Sequence, residues 1–314
     1  MIPFAIICSF NPAFLDNIPN VWGIATFHTL YNIATVSILL PFSDMITKLS
    51  YVFVKEKEED KQIAYIDPIL INQSPAVAIS ECANLTNEMC TLSRDTIFLA
   101  IDNLYNYNSK TSEVITDNEE LIDKYEDNLG TYLVKLSASE ISPEESHNVT
   151  KLLHIIGDFE RISDHAVNIL ESAEEMRDKK ISFSEEAQKE ITVMSGALDE
   201  IIELADRAYV EGDLSVAALV EPLEQVIDIL KARIKLNHIL RLQKNECSIE
   251  HGFVLSDLLT NFERVSDHCS NIAGCLIEIS SHNALDMHKY LSSVKRGSAE
   301  FDERFNQYKQ KYSL

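Results

Sequence analysis

The twelve residues 158–169, DFERISDHAVNI, recur 103 positions later as NFERVSDHCSNI, residues 261–272. Phe, Glu, Arg, Ser, Asp, His, Asn and Ile coincide, eight positions of twelve. Agreement of that density marks an internal duplication, so the chain must fold one unit twice. The repeat extends upstream: Glu119 and Asp123 precede the first copy, Glu224 and Asp228 the second, at an offset of 105 residues. With Glu160/Asp164 and Glu263/Asp267 inside the copies, four Glu-x-x-x-Asp pairs occupy equivalent places, two per unit.

The unit is helical. Phe159, Ile162, Ala166 and Ile169 fall on one face at helical spacing and set the carboxylate stripe beside a buried one. Only 8 Gly and 8 Pro in 314 residues leave few turns, which favours long helices. Ser74-Pro75 opens a helix to about 106, with Ser as N-cap and Pro in the first turn. A second covers about 113–138, carrying Val114, Leu121, Ile122, Tyr125, Leu129, Leu133 and Leu136. Ser142 and Glu145 stand at capping-box spacing and open a third, to about 180. Ser182 and Glu185 repeat that spacing and open a fourth, ending at Gly212. Asp213 caps a fifth, to about 245, which Pro222 must kink or delay. A sixth runs from about 249 to 281, and a last covers about 287–311. Short connections make neighbours antiparallel. The expected fold is all-α: two tandem three-helix bundles, 75–181 and 182–283, with an N-terminal hydrophobic helix and a C-terminal helix. A charged linker (55–74, opening KEKEEDK) precedes them and a helical tail (284–314) follows.

Residues i and i+4 project from one helix face, so each Glu/Asp pair sets two like charges a turn apart. In water that repulsion costs a few tenths of a kcal/mol, roughly, and a multivalent cation is the natural compensator. Two pairs from adjacent helices present four carboxylates, a set suited to hard or borderline cations such as magnesium, calcium, manganese or iron. His165 and His268 follow the Asp of each copy and point about 100° away, which suits interhelical hydrogen bonds better than ligation. Asn168 and Asn271 continue the carboxylate stripe and are candidates to cap the site. A single pair in a chain with 50 acidic residues is ordinarily a solvated face, and Arg161 and Arg264 offer neutralisation without metal. Four pairs in register, two within near-identical dodecamers, favour a cation.

Residues 21–42, VWGIATFHTLYNIATVSILLPF, contain no acidic or basic side chain except His28 and suffice in length for one membrane span. Lys48, Lys55, Lys57 and Lys61 follow, a bias that places the C-terminal side in the cytoplasm. A buried core helix is the alternative, since His28, Thr29, Asn32 and Thr35 suit a protein interior better than lipid. Net charge of -23 repels phosphate backbones and argues against nucleic-acid binding. The six cysteines form no C-x-x-C pair and read as reduced helix residues.

FERISDHAVNI and FERVSDHCSNI resemble the Glu-x-x-x-Asp motif of the PhoU family of phosphate-uptake regulators. The resemblance covers about 75–283. It implies two three-helix bundles that bind metal, often iron or zinc, through Glu160, Asp164, Glu263 and Asp267, joined by Glu119, Asp123, Glu224 and Asp228. Magnesium and manganese remain open as alternatives. ATFHTLYNIATVSILLPF (25–42), DPILINQSPAVAI (67–79) and the tail ending FDERFNQYKQKYSL look like sodium/phosphate cotransporters that carry a C-terminal PhoU domain. On that resemblance residues 1–54 are the last membrane segment and the helical domain is cytoplasmic, or the whole chain is cytoplasmic if the segment does not insert. The internal repeats that hold sodium and phosphate in such transporters are not in this sequence, so transport by this chain alone is not expected. The implied partner is a phosphate-transporter membrane subunit, or the missing transporter half, with a homodimer also open. No glycine-rich phosphate loop or G-x-S-x-G elbow is present, so a regulator, not an enzyme, is expected. The competing reading is a structural helical adaptor that takes no metal.

Overall fold

The computed structural model describes residues 28–33, 35–37, 40, 66–280 and 299–314. Among them every regular element is helical, and from residue 66 onward these are α1 (Leu70–Gln73), α2 (Pro75–Tyr105), α3 (Ser109–Ser137), α4 (Pro143–Lys179), α5 (Glu185–Glu211), α6 (Leu214–Ala217), α7 (Val220–Gln243), α8 (Ile249–Ser280) and α9 (Ala299–Lys311). Helices α2, α3 and α4 form one antiparallel bundle, and α5, α7 and α8 form the second. The long α4 packs against α8, so each bundle gives its motif helix to the contact between repeats. Helix α9 returns to lie against α7, and its end is tied to α5 by the Tyr312 hydroxyl, which donates to the Gly196 carbonyl at 3.1 Å.

The motif's apolar stripe is the core at this contact. Phe159, Ile162, Ala166 and Ile169 are buried, and so are their counterparts Phe262, Val265, Cys269 and Ile272. Burying each large aliphatic or aromatic side chain is worth about 1.5–3 kcal/mol. That pins the rotation of α4 and α8, and with it the direction of the neighbouring carboxylates.

Local signals explain the helix ends. Ser142 and Glu145 form the full capping box: the Ser142 hydroxyl accepts from the Glu145 amide at 3.2 Å, and the Glu145 carboxylate accepts from the Ser142 amide at 2.8 Å. Gly212 closes α5 in the left-handed conformation, φ 65°. One cap and three boundaries differ from the sequence expectation. Ser74 holds the N-cap position of α2, but its side chain makes no capping bond. Helix α3 begins earlier than expected, because Asn108 caps it and accepts from the Lys110 amide. Helix α5 is capped by Ser184, not Ser182; the Ser182 carbonyl instead faces His251 Nε2 at 3.1 Å. Asp213 caps only the single turn of α6, and Pro222 delays α7 to Val220, where a proline in the first turn costs no backbone bond.

Residues 66–73, within the expected linker, include the one-turn α1, whose Ile71 is buried. In a separate N-terminal unit, 28–33 and 35–37 are helical with Leu30, Ile33 and Val36 exposed. No described helix is long and apolar enough to cross a membrane. The rest of the 21–42 segment, the run 55–61 and residues 284–298 of the tail lie outside the described residues.

Candidate carboxylate site and the joint between repeats

Helices α3 and α4 bring the first four carboxylates into one field. Glu160 and Asp164 lie a turn apart on α4 and are bridged by Arg161, whose guanidinium stands 3.3 Å from Glu160 Oε2 and 2.9 Å from Asp164 Oδ2. Burial, with the charge of Asp164 and then of Glu126, pushes the Glu160 carboxyl up to about 7 against the pull of Arg161. Burial also raises Glu119, helped by Asp164, Asp123 and Glu120. Glu126 is raised by burial and by Asp127 and Asp123. Glu126 was not among the sequence candidates, although it stands seven residues after Glu119 and so extends the same face of α3. Glu126, Glu160 and Arg161 open onto a groove of about 460 Å³, lined also by His154, Asp158 and Asn271.

The second repeat is built to the same plan with one change of sign. Asp267 is raised by burial, then by Glu263 and Asp228, against Arg264. Arg264 lies 3.3 Å from Asp267 Oδ2, as Arg161 does beside Asp164. Glu263 is ion-paired with Lys231 of α7. At the offset of 105 that relates these helices, Lys231 is the counterpart of Glu126. The first repeat therefore adds a fifth carboxylate where the second supplies an ammonium. Glu224, one turn before Asp228 on α7, is buried, whereas Asp228 is exposed.

The donor set is all-oxygen and partly sheltered, and burial, with the charge of Asp164, holds the Glu160 carboxyl up at about 7. That suits a hard or borderline cation, which would lower those carboxyls by its charge. Among the described residues, no three carboxylate, imidazole or thiol groups are drawn together closely enough to enclose an ion as the side chains stand. An ion there would displace Arg161 from its carboxylates in the first repeat, and Lys231 and Arg264 from theirs in the second. Glu160, Asp164, Glu119 and Asp123 would hold the ion in the first repeat, and Glu263, Asp267, Glu224 and Asp228 in the second.

The motif histidines act elsewhere. His165 Nδ1 lies 2.9 Å from Asn261 Oδ1, and His268 Nδ1 lies 2.8 Å from Asp158 Oδ1. Asp158 and Asn261 are the first residues of the two copies. Each histidine thus reaches the head of the other copy, which requires α4 and α8 to run antiparallel about a pseudo-twofold axis. The two imidazoles meet beside that axis with ring centroids 5.8 Å apart. Asn271 donates to Asp158 at 3.3 Å, so it serves this clasp and does not cap the carboxylates. Asn168 lines a separate groove of about 360 Å³ with Glu171, Glu175, Asp257 and Asn261.

A duplicated three-helix bundle with paired carboxylates on adjacent helices defines a tandem-repeat helical protein of the PhoU type. The PhoU domain family matches residues 86–173 and 191–276, and the chain belongs to that family. Among its relatives, the phosphate-specific transport system accessory protein PhoU homolog 1 of Thermotoga maritima is 26% identical over 218 residues, 69% of this chain and 92% of that protein. The PhoU homolog of Clostridium acetobutylicum is 24% identical over 202 residues, 63% of this chain and 90% of that protein. The putative inorganic phosphate export protein YjbB of Escherichia coli K12 is 22% identical over 279 residues, 83% of this chain, which spans only 49% of YjbB. In fold, the crystal structure of PhoU from Pseudomonas aeruginosa matches with a TM-score of 0.61 at 16% identity, covering 67% of this chain and 99% of that one. The phosphate transport system regulatory protein PhoU from Streptococcus pneumoniae matches at 0.60 and 18% identity, covering 68% and 100%.

Proposed function

We propose that this chain is a metal-binding PhoU-type regulator that acts with a membrane phosphate transporter and performs no bond chemistry itself. The observation that carries the reading is the first-repeat carboxylate cluster, in which burial and the charges of Asp164 and Glu126 raise the Glu160 carboxyl to about 7. An ion bound there would neutralise the facing stripes of α3 and α4 and lock their spacing. The metal is iron, zinc, manganese or magnesium, all compatible with carboxylate ligands. Lys231 makes the second repeat the weaker binder, because an internal ammonium already neutralises Glu263. The relatives named for phosphate-specific transport and phosphate export support phosphate flux as the process regulated. The longer YjbB relatives support a transporter half as the partner, and the cotransporter-like 25–42 segment supports a sodium-coupled one at the cell membrane. The test is phosphate accumulation in cells lacking the chain. It should change on deletion and be restored by wild type, but not by a Glu160→Ala/Asp164→Ala/Glu263→Ala/Asp267→Ala variant. Unchanged accumulation on deletion would overturn the reading.

A second reading has its own observation. Arg161, Lys231 and Arg264 already counter the carboxylates, so a metal-free adaptor is chemically self-consistent. Its signature is full restoration of phosphate accumulation by that fourfold variant.

A further inference from the structure

Helix α7 carries an outward face that its place in the fold does not demand. Ile229, Leu236, Ile239 and Leu240 are 41%, 55%, 50% and 46% exposed. At 100° per residue they form one stripe, opposite the buried Ile227, Ile234 and His238. Their counterparts on α3, at the same offset of 105, are Lys124, Thr131, Val134 and Lys135. The same helix position in the other repeat is thus polar at three places of four, so the apolar stripe is particular to α7. The charge is particular too. Residues 230–244, LKARIKLNHILRLQK, hold five basic side chains and no acidic one, in a chain of net charge -23. Lys231 and Arg241 are engaged with Glu263 and Glu190. Arg233 and Lys244 border the stripe on one side and Lys235 on the other. At the end of the same hairpin, Ile249 and Phe253 in the first turns of α8 are also exposed.

An apolar stripe bordered by basic residues is the chemistry of a helix that lies in the surface of an anionic bilayer. A second copy fits less well, since a twofold contact through this face would set Arg233, Lys235 and Lys244 against themselves. Asp228 lies at one end of the stripe and Glu246 and Glu250 at the other, while the charges of the acidic remainder beyond about 8 Å are screened at physiological ionic strength. We propose that the outer face of α7 is a docking surface for anionic phospholipid, which would hold the domain against the membrane independently of any metal.

The full chain contains one tryptophan, Trp22. Replacing it (Trp22→Phe) and adding Leu240→Trp places the only indole on the stripe. A matched protein carrying Lys135→Trp places it at the counterpart of Leu240 on α3. Vesicles of phosphatidylglycerol should shift the Leu240→Trp emission to the blue, and brominated chains should quench it. Phosphatidylcholine vesicles, and the Lys135→Trp protein in either lipid, should show neither effect. Arg233→Gln and Lys244→Gln should each weaken the response about fivefold, the loss of one surface-proximal basic charge. Absence of quenching at Leu240→Trp would overturn the proposal. So would equal quenching in phosphatidylcholine or at Lys135→Trp. Emission already blue without lipid, in a protein that sediments as a dimer, would assign the face to a second copy and overturn it likewise.

Discussion

Replacing Glu160 by glutamine should stabilise the metal-free protein at alkaline pH and do nothing at acid pH. The Glu160 side chain is 18% exposed, and burial plus the charges of Asp164 and Glu126 lift its carboxyl from the ordinary 4.5 to about 7. Between those values the folded state holds a proton that the unfolded state has released. Stability therefore falls as pH rises through that window and levels off above it. Fully expressed, the displacement corresponds to about 3 kcal/mol. Solvent at the groove mouth reduces it to about 1–2 kcal/mol. Glutamine keeps the shape, cannot ionise, and leaves Arg161 its 2.9 Å contact with Asp164. In chelator, thermal unfolding followed by circular dichroism should give Glu160→Gln a melting temperature about 3–6 °C above wild type at about pH 8, and next to no difference at about pH 4, below both values. A variant that melts with or below wild type at the higher pH would refute the claim that this cluster works against itself when empty.

Two further outcomes test the frame around the site. Asp158→Ala removes the acceptor of both His268 and Asn271 and should cost about 1–3 kcal/mol in urea unfolding, whereas Asn261→Ala on the other side of the axis should cost about 1. Gly252→Ala would set a Cβ 2.7 Å from the ring of His238, so it should destabilise by about 1–3 kcal/mol despite alanine's better helix propensity, with a second change His238→Ala restoring part of the loss.

The repeated dodecamer made the architecture legible, because an eight-in-twelve match cannot be kept by two units of different shape. It also revealed which face is buried, since the Phe159 stripe and its copy carry the core. The pairing of the carboxylates was legible as a pattern for the same reason. The second half of the site was not. Lys231 and Glu126 are unremarkable in the linear chain, and their opposition appears only when α3 and α7 are overlaid at 105 residues. A helix start is ambiguous in the sequence where two serines compete: Ser182 and Ser184 both precede an acidic turn, and in the structure Ser184 caps α5 while the Ser182 carbonyl faces His251. The motif histidines were placed correctly off the carboxylate face, but their partners in the other copy, Asp158 and Asn261, depend on the antiparallel crossing of α4 and α8, which no local pattern encodes.

The most direct test is elemental analysis of the full chain purified without chelator, beside Glu160→Ala/Asp164→Ala and Lys231→Glu. Wild type should carry a stoichiometric transition metal or magnesium. The double variant should lose most of it while keeping its helical spectrum, and Lys231→Glu, which gives the second repeat its missing carboxylate, should gain more. Wild-type protein that is metal-free and takes up none on titration, or a double variant with undiminished content, would contradict a cation site in the first repeat.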